Sequence, residues 1–310
     1  MLNVKFITYN NLEFIIRNSI MKSISVGVIK PLKNTHFWLL AIAGGLIAIH
    51  LSLSWKSNPN LSGLSMSVLC WGAVLTLLWE KRQNLRLESD IFSSLIGLLL
   101  IAFVLIRSLV MTSFDSVFEL TPFIAGLGLA MLASGVKRLP QYWQELILIL
   151  ALNAPLHLLI NRISILSLYT AKFATLILTY LGFQVHREGV YISLPSGIVE
   201  VAAGCSGWAS IFPLLKLAVL FLVMFPTSLT KKILVPFVAV AIAFVVNGVR
   251  VAIMAALYSY SHPETFKYWH TGTGSQIFFL ISTLLFGGFC YLISQNQAID
   301  NQQPREISNS

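Results

Sequence analysis

The sequence predicts an all-α polytopic membrane protein of about eight transmembrane helices, with a small outer-face β-hairpin inserted late in the chain. Three observations carry that reading. The 310 residues are 56% hydrophobic and 11% charged, whereas soluble domains run at ~45–50% apolar and ~25% charged. Apolar runs of spanning length recur along the whole chain. Finally, Lys and Arg gather in alternate connecting segments, as they do where loops alternate between the two faces of a bilayer. The formal charge of +9 would suggest nucleic acid in a soluble protein. Here its distribution reports orientation, and nucleic-acid binding drops out.

A spanning helix needs ~20 mostly apolar residues. Candidates cover residues 37–53, 61–79, 91–111, 117–134 and 145–160, then 206–225, 233–257 and 273–293. The N-terminal segment holds Lys5, Arg17, Lys22, Lys30 and Lys33. Alternate loops carry Lys81, Arg82 and Arg86, then Lys137 and Arg138, then Lys231 and Lys232, so this set is expected in the cytoplasm. Residues 163–181 are apolar but carry Lys172 and several hydroxyls. A full crossing there would put Lys231 and Lys232 outside, so the stretch is read as an interfacial or re-entrant helix at the outer face. Both termini are then cytoplasmic and the 182–205 loop lies outside.

No polar linker could hold a second core. The organisation is a cytoplasmic segment over 1–36, one multi-pass domain over 37–294 and a polar tail over 295–310. Residues before Met21 lack a clean apolar core and a small-residue cleavage site, so they do not form a secretory signal, and translation from Met21 is an alternative start.

Three widely spaced cysteines form neither a disulfide framework nor a metal motif. Cys70 and Cys290 fall within spans, where a free cysteine is a small apolar side chain. Cys205 differs, because it stands where the outer loop enters a helix, in Glu200-Val201-Ala202-Ala203-Gly204-Cys205-Ser206-Gly207. A helix N-terminus favours negative charge, and the flanking glycines admit a substrate backbone. Gly-Cys-Ser-Gly is equally compatible with a capping turn in which Ser206 is the N-cap. Upstream, 190–194 alternates like a strand, Pro195-Ser196-Gly197 is a turn and 198–201 reads as the return strand. Such a hairpin could receive an extended peptide by strand addition or serve only as a packing lid.

Arg250, in Asn247-Gly248-Val249-Arg250, lies inside the seventh span near its outer end. Arginine inside a span is a functional hypothesis by default; snorkelling to the interface is the alternative. Asn247 shares its helix face, and the pair could receive a carbonyl oxygen as it becomes an oxyanion. His270, in Tyr268-Trp269-His270-Thr271-Gly272, suits general acid–base work, or belongs to the interfacial aromatic belt. The other histidines are weaker candidates: His36 and His262 lie in flanking loops, His50 and His157 within spans, and His186 in the hairpin loop with no evident partner. The topology was built from other loops, yet it sets Cys205, Arg250 and His270 at one face. Together they are the parts of acyl transfer through a thioester. No phosphate loop, metal motif or cofactor fingerprint is present in the sequence.

These residues resemble the Cys–Arg–His signature of the exosortases and archaeosortases, and the text around them resembles the cyanobacterial branch of that family. The supporting segments are Leu181-Gly182-Phe183, Leu194-Pro195-Ser196-Gly197 and Phe266-Lys267-Tyr268-Trp269-His270, and the likeness extends over about residues 37–293. The resemblance implies a membrane cysteine peptidase or transpeptidase without cofactor. It would act on exported proteins whose C-terminal sorting signal has a Pro-Glu-Pro-type motif, a transmembrane helix and a basic cluster, and pass them to a surface acceptor. It implies Cys205 as nucleophile, Arg250 as stabiliser of the intermediate and His270 as proton carrier, with Glu200, Ser206 and Asn247 supporting. A multi-pass transporter or lipid-binding protein with Arg250 as substrate contact is the alternative from another class.

Overall fold

The computed structural model describes residues 35–57, 61–110, 116–155, 165–225, 227–259, 263–270 and 274–300. The segment over 1–34, the tail beyond 300, His157 and His262 lie outside the described residues.

Ten α-helices follow one another in the described residues. They are α1 (Thr35–Ser57), α2 (Leu61–Lys81), α3 (Ile91–Val110), α4 (Ser116–Ser134) and α5 (Trp143–Asn153), then α6 (Ile165–Tyr180), α7 (Trp208–Met224), α8 (Leu229–Ser259), α9 (Pro263–His270) and α10 (Ser275–Asp300). Among them α1, α2, α3, α4, α8 and α10 are long and apolar enough to cross a membrane, while α6 and α7 are shorter apolar helices. The chain is a polytopic helical membrane protein. Helix α10 runs to Asp300, so the polar stretch from Gln295 begins inside a helix.

Small residues bring the N-terminal helices together. A Cβ on Gly97 of α3 would stand 2.6 Å from the Gly128 carbonyl oxygen of α4, so the two backbones touch where only hydrogen fits. Without a hydrophobic drive between helices in lipid, such close contact is a main source of association.

The fifth expected span is interrupted. Helix α5 ends at Asn153, about 16 Å after it starts, because Ala154 precedes Pro155 and is extended at φ −60°, ψ 136°. That is about half of a ~30 Å hydrocarbon core. Its first turn meets the C-terminal end of α2, where Lys81 Nζ lies 2.6 Å from Glu145 Oε2. Asn153, at its last turn, points to Cys70 in the middle of α2. Helix α6 then packs chiefly along α8. Its buried face of Ala171, Ala174 and Leu178 joins Val251, Ala252 and Ala255 in one core, and the Phe173 ring stands 5.6 Å from Phe244. Leu166 at its start meets the core formed by the middle of α7 and α8, and its last turn leads into the sheet. So α6 lies along a spanning helix and does not lie flat on an interface. Helices α5 and α6 carry the chain from the Lys81 end of the bundle to the opposite end in two pieces. This corrects both expectations for the region while keeping the parity of the crossings.

The loop between α6 and α7 is a three-stranded antiparallel meander: β1 (His186–Glu188), β2 (Tyr191–Leu194) and β3 (Gly197–Glu200). The expected hairpin is β2–β3, tightened to a Pro195-Ser196 turn, with Leu194 paired to Gly197. The unforeseen β1 exists because Gly189, at φ 59°, supplies a left-handed turn between β1 and β2. His186 is exposed opposite Ser193. Ile192, Leu194 and Val201 bury themselves against α6 and α8, so the sheet caps that end of the bundle.

Candidate active site

Three elements meet beneath the sheet: the loop after β3, the upper part of α8 and the end of α9. After β3 the chain makes a 3₁₀ turn at Ala203–Cys205 before α7 starts. Gly207 forms the N-cap of α7 at φ 110°, a left-handed conformation that strains any residue with a Cβ. A Cβ there would also meet the Asn247 amide at 3.1 Å. Ser206 is not the N-cap that the capping-turn reading requires. Its hydroxyl donates to the Ala203 carbonyl at 2.6 Å, and its own carbonyl accepts from Thr170 Oγ1 at 2.7 Å. Ser206 is a buried support for the turn.

Asn247 is buried and donates through Nδ2 to the Cys205 carbonyl at 2.9 Å. The amide is thereby engaged in fixing the backbone of the thiol-bearing residue, a supporting position beside the reactive pair. One turn further along α8, Arg250 Nη2 donates to the His270 carbonyl at 2.9 Å. Helix α8 continues to Ser259, which leaves Arg250 about 13 Å short of the helix end. The guanidinium reaches a protein carbonyl, so snorkelling does not describe it. The carbonyl it meets closes α9, where the last turn of any helix has unsatisfied acceptors and favours a cation. Arg250 Nε is buried with no hydrogen-bond partner among the described residues.

The consequence is that His270 Nε2 stands 3.5 Å from Cys205 Sγ, both side chains half-buried. The two residues are 65 apart in sequence. Each is held through its own backbone carbonyl by a donor from α8, three residues apart on one helix face. On the far side of His270, Tyr268 and Trp269 meet edge to face at 5.3 Å, and Trp269 stands 5.8 Å from Phe278 of α10. These rings brace α9 against α10. A thiol beside an imidazole, with a guanidinium behind it, can deprotonate and form a covalent bond to an acyl carbon.

Glu200 ends β3 opposite Tyr191, exposed, with no hydrogen bond to the thiol, imidazole or guanidinium among the described residues. Val201 N–H bonds to the Val190 carbonyl at 3.0 Å, which sets the alternation along β3. Ile198 and Glu200 therefore turn their backbone N–H and C=O groups away from β2, towards the open edge. Cys70 and Cys290 are buried in helix cores, remote from this group.

One pair escaped the sequence reading. Lys216, near the middle of α7, interacts electrostatically with Glu119 of α4. A single lysine barely lowers the hydropathy of a long apolar window, but a charge at that depth needs a countercharge. No group of three or more His, Cys, Asp or Glu side chains is placed to hold a metal among the described residues.

No curated protein and no solved structure matches the chain. The family model described as Transmembrane exosortase (Exosortase_EpsH) matches residues 55–287, a stretch that contains the thiol, the guanidinium and the imidazole. With well over half of its length matched, the chain belongs to the transmembrane exosortase family.

Proposed function

We propose that the protein is a cysteine peptidase or transpeptidase that cleaves the C-terminal sorting signal of exported proteins. The observation that carries this reading is the 3.5 Å approach of Cys205 Sγ to His270 Nε2. In the proposed reaction His270 takes the thiol proton, and the sulfur attacks the carbonyl carbon of the scissile peptide bond. Arg250 stabilises the oxyanion that develops. As the tetrahedral intermediate collapses, the C–N bond breaks, His270 returns the proton to the leaving amine and a thioester remains on Cys205. A surface acceptor, or water, then attacks the thioester carbon. His270 removes the acceptor's proton and the thiol is regenerated by protonation.

The open edge of β3 offers an extended substrate segment a place to pair just before it reaches Cys205. The Lys and Arg distribution supports a multi-pass protein of the inner or plasma membrane with both termini cytoplasmic and Cys205 at the outer face. A transporter reading draws on the interruption between α5 and α6. That reading gives no role to a thiol held 3.5 Å from an imidazole.

The experiment is co-expression of Cys205→Ala or His270→Ala with an exported substrate that bears the sorting signal. Processing should stop while the folded protein stays in the membrane at wild-type abundance. A membrane-impermeant thiol reagent should label Cys205 from outside intact cells. Processing that continues in Cys205→Ala would overturn the mechanism, and labelling that needs permeabilised cells would overturn the orientation.

A further inference from the structure

At the end of the bundle remote from Cys205, α1, α2, α4 and α5 enclose a cleft of about 350 Å3. Its walls are almost wholly apolar, built from side chains such as Leu46, Val74, Leu129 and Ile149. Its ionisable lining residues are His36, Arg82, Tyr142 and Glu145. Two features of the cleft point to a ligand. Glu145 is buried; Lys81 Nζ satisfies its Oε2 at 2.6 Å, but its Oε1 has no hydrogen-bond partner. A buried acceptor left unpaired is costly and calls for a donor. The nearby phenol does not supply it, because Tyr142 Oη pairs with Ser134 Oγ at 2.8 Å. The second feature is charge. Lys81 and Glu145 neutralise one another, which leaves Arg82 as the arginine that lines the cleft. Arg82 is exposed, with its guanidinium 4.3 Å above the Trp79 ring and one nitrogen bonded to the Trp79 carbonyl.

We propose that this cleft is a lipid site that takes an acyl chain of an anionic lipid with a hydroxyl-bearing headgroup, such as phosphatidylglycerol. The chain lies between α1 and α4, the phosphate meets Arg82, and a headgroup hydroxyl donates to Glu145 Oε1. A choline headgroup has no such donor. An ethanolamine headgroup has a donor but brings a second cation beside Arg82. The site sits in the leaflet opposite the thiol and is independent of the reaction proposed for it.

The test uses the full-length protein in phosphatidylcholine nanodiscs doped with probes that carry a photoreactive acyl chain. The probes are phosphatidylglycerol, phosphatidylethanolamine and phosphatidylcholine, with labelled residues mapped by mass spectrometry. The glycerol probe should label the cleft about fivefold more than either other probe, and Arg82→Gln should remove about that factor. Ala133→Trp, which fills the cleft, should abolish labelling there while thiol reactivity at Cys205 stays at the wild-type level. Arg82→Gln keeps the test decisive if Ala133→Trp fails to fold. Equal labelling by all three probes, or labelling indifferent to Arg82→Gln, would overturn the proposal. So would displacement of the lipid by a substrate's transmembrane helix, which would assign the cleft to protein.

Discussion

The two ends of the bundle use polar side chains differently. Beneath the sheet three of them reach backbone carbonyls around the thiol and the imidazole: Thr170 to Ser206, Asn247 to Cys205, Arg250 to His270. At the other end bonds to carbonyls, Lys81 to Gln141 and Ser89 to Met131, stand beside side-chain pairs: Lys81 with Glu145, Ser134 with Tyr142 and, at the surface, Arg138 with Glu88. The difference follows from what each end must fix. Cys205 sits on a 3₁₀ turn and His270 on the last residue of a short helix, where the backbone has no regular ladder to hold it. Donors from α8 supply that hold, and reactive groups are thereby set to within hydrogen-bond reach. The opposite end joins helix termini through the 3₁₀ segment Val136–Tyr142 and the irregular stretch over 85–90, and its pairs tie these pieces to the helices.

If the thiol end depends on backbone restraint, the largest effect short of removing Cys205 or His270 should come from Arg250. Arg250→Lys keeps a cation but lacks a rigid fork of donors. We expect it to slow substrate processing about 100-fold, with alkylation of Cys205 showing that the thiol remains exposed to reagent. A rate near wild type would mean that a single donor to the His270 carbonyl is the whole role of Arg250, and that oxyanion stabilisation comes from elsewhere.

The contrast also predicts where packing is least forgiving. A Cβ at Gly248 would run into the Phe173 ring, which is itself packed on Phe244. Gly248→Val should destabilise the protein by about 1–3 kcal/mol, the usual range for overpacking, and lower its thermal midpoint. Because Gly248 lies between Asn247 and Arg250 on α8, processing should fall more than stability does. A loss of stability with kinetics unchanged would show that α6 braces the bundle without setting the site.

Much of this was legible before any coordinates. Hydropathy marked the helices long enough to span, and the residue types at 205, 250 and 270 marked side chains that the fold brings together, because reactive side chains are rare enough in an apolar chain to be conspicuous. What the one-dimensional pattern hides is depth and engagement. Pro155 ends α5 although the apolar run continues beyond it, since hydropathy averages over a residue that blocks helical backbone. The same averaging hid Lys216. The amphipathic reading of 163–181 treated Lys172 as a surface mark, and Lys172 is exposed, yet the opposite face is built of alanines that admit α8. At Asn247 a sequence shows the donors and not the Cys205 carbonyl that one of them meets.

The smallest effect should come from the other end, where side chains bond side chains at the start of a helix. Asp90 caps α3: its carboxylate accepts from Ser93 Oγ at 2.6 Å and from the Ser93 backbone N–H at 3.0 Å. These bonds hold its pKa below the ordinary carboxylate value. A carboxyl whose pKa is lowered by folding stabilises the folded state above its ordinary pKa, near 3.9, and loses that contribution as pH falls through the lowered value. Asp90→Ala should therefore lower the thermal midpoint by about 2 °C at neutral pH, with the gap to wild type closing below about pH 3.9. Gly248→Val, which carries no charge change, should keep its deficit across the same range. A gap for Asp90→Ala that ignores pH would mean that the cap works by shape alone, and that this end does not rest on ionised side chains in the way its pairings indicate.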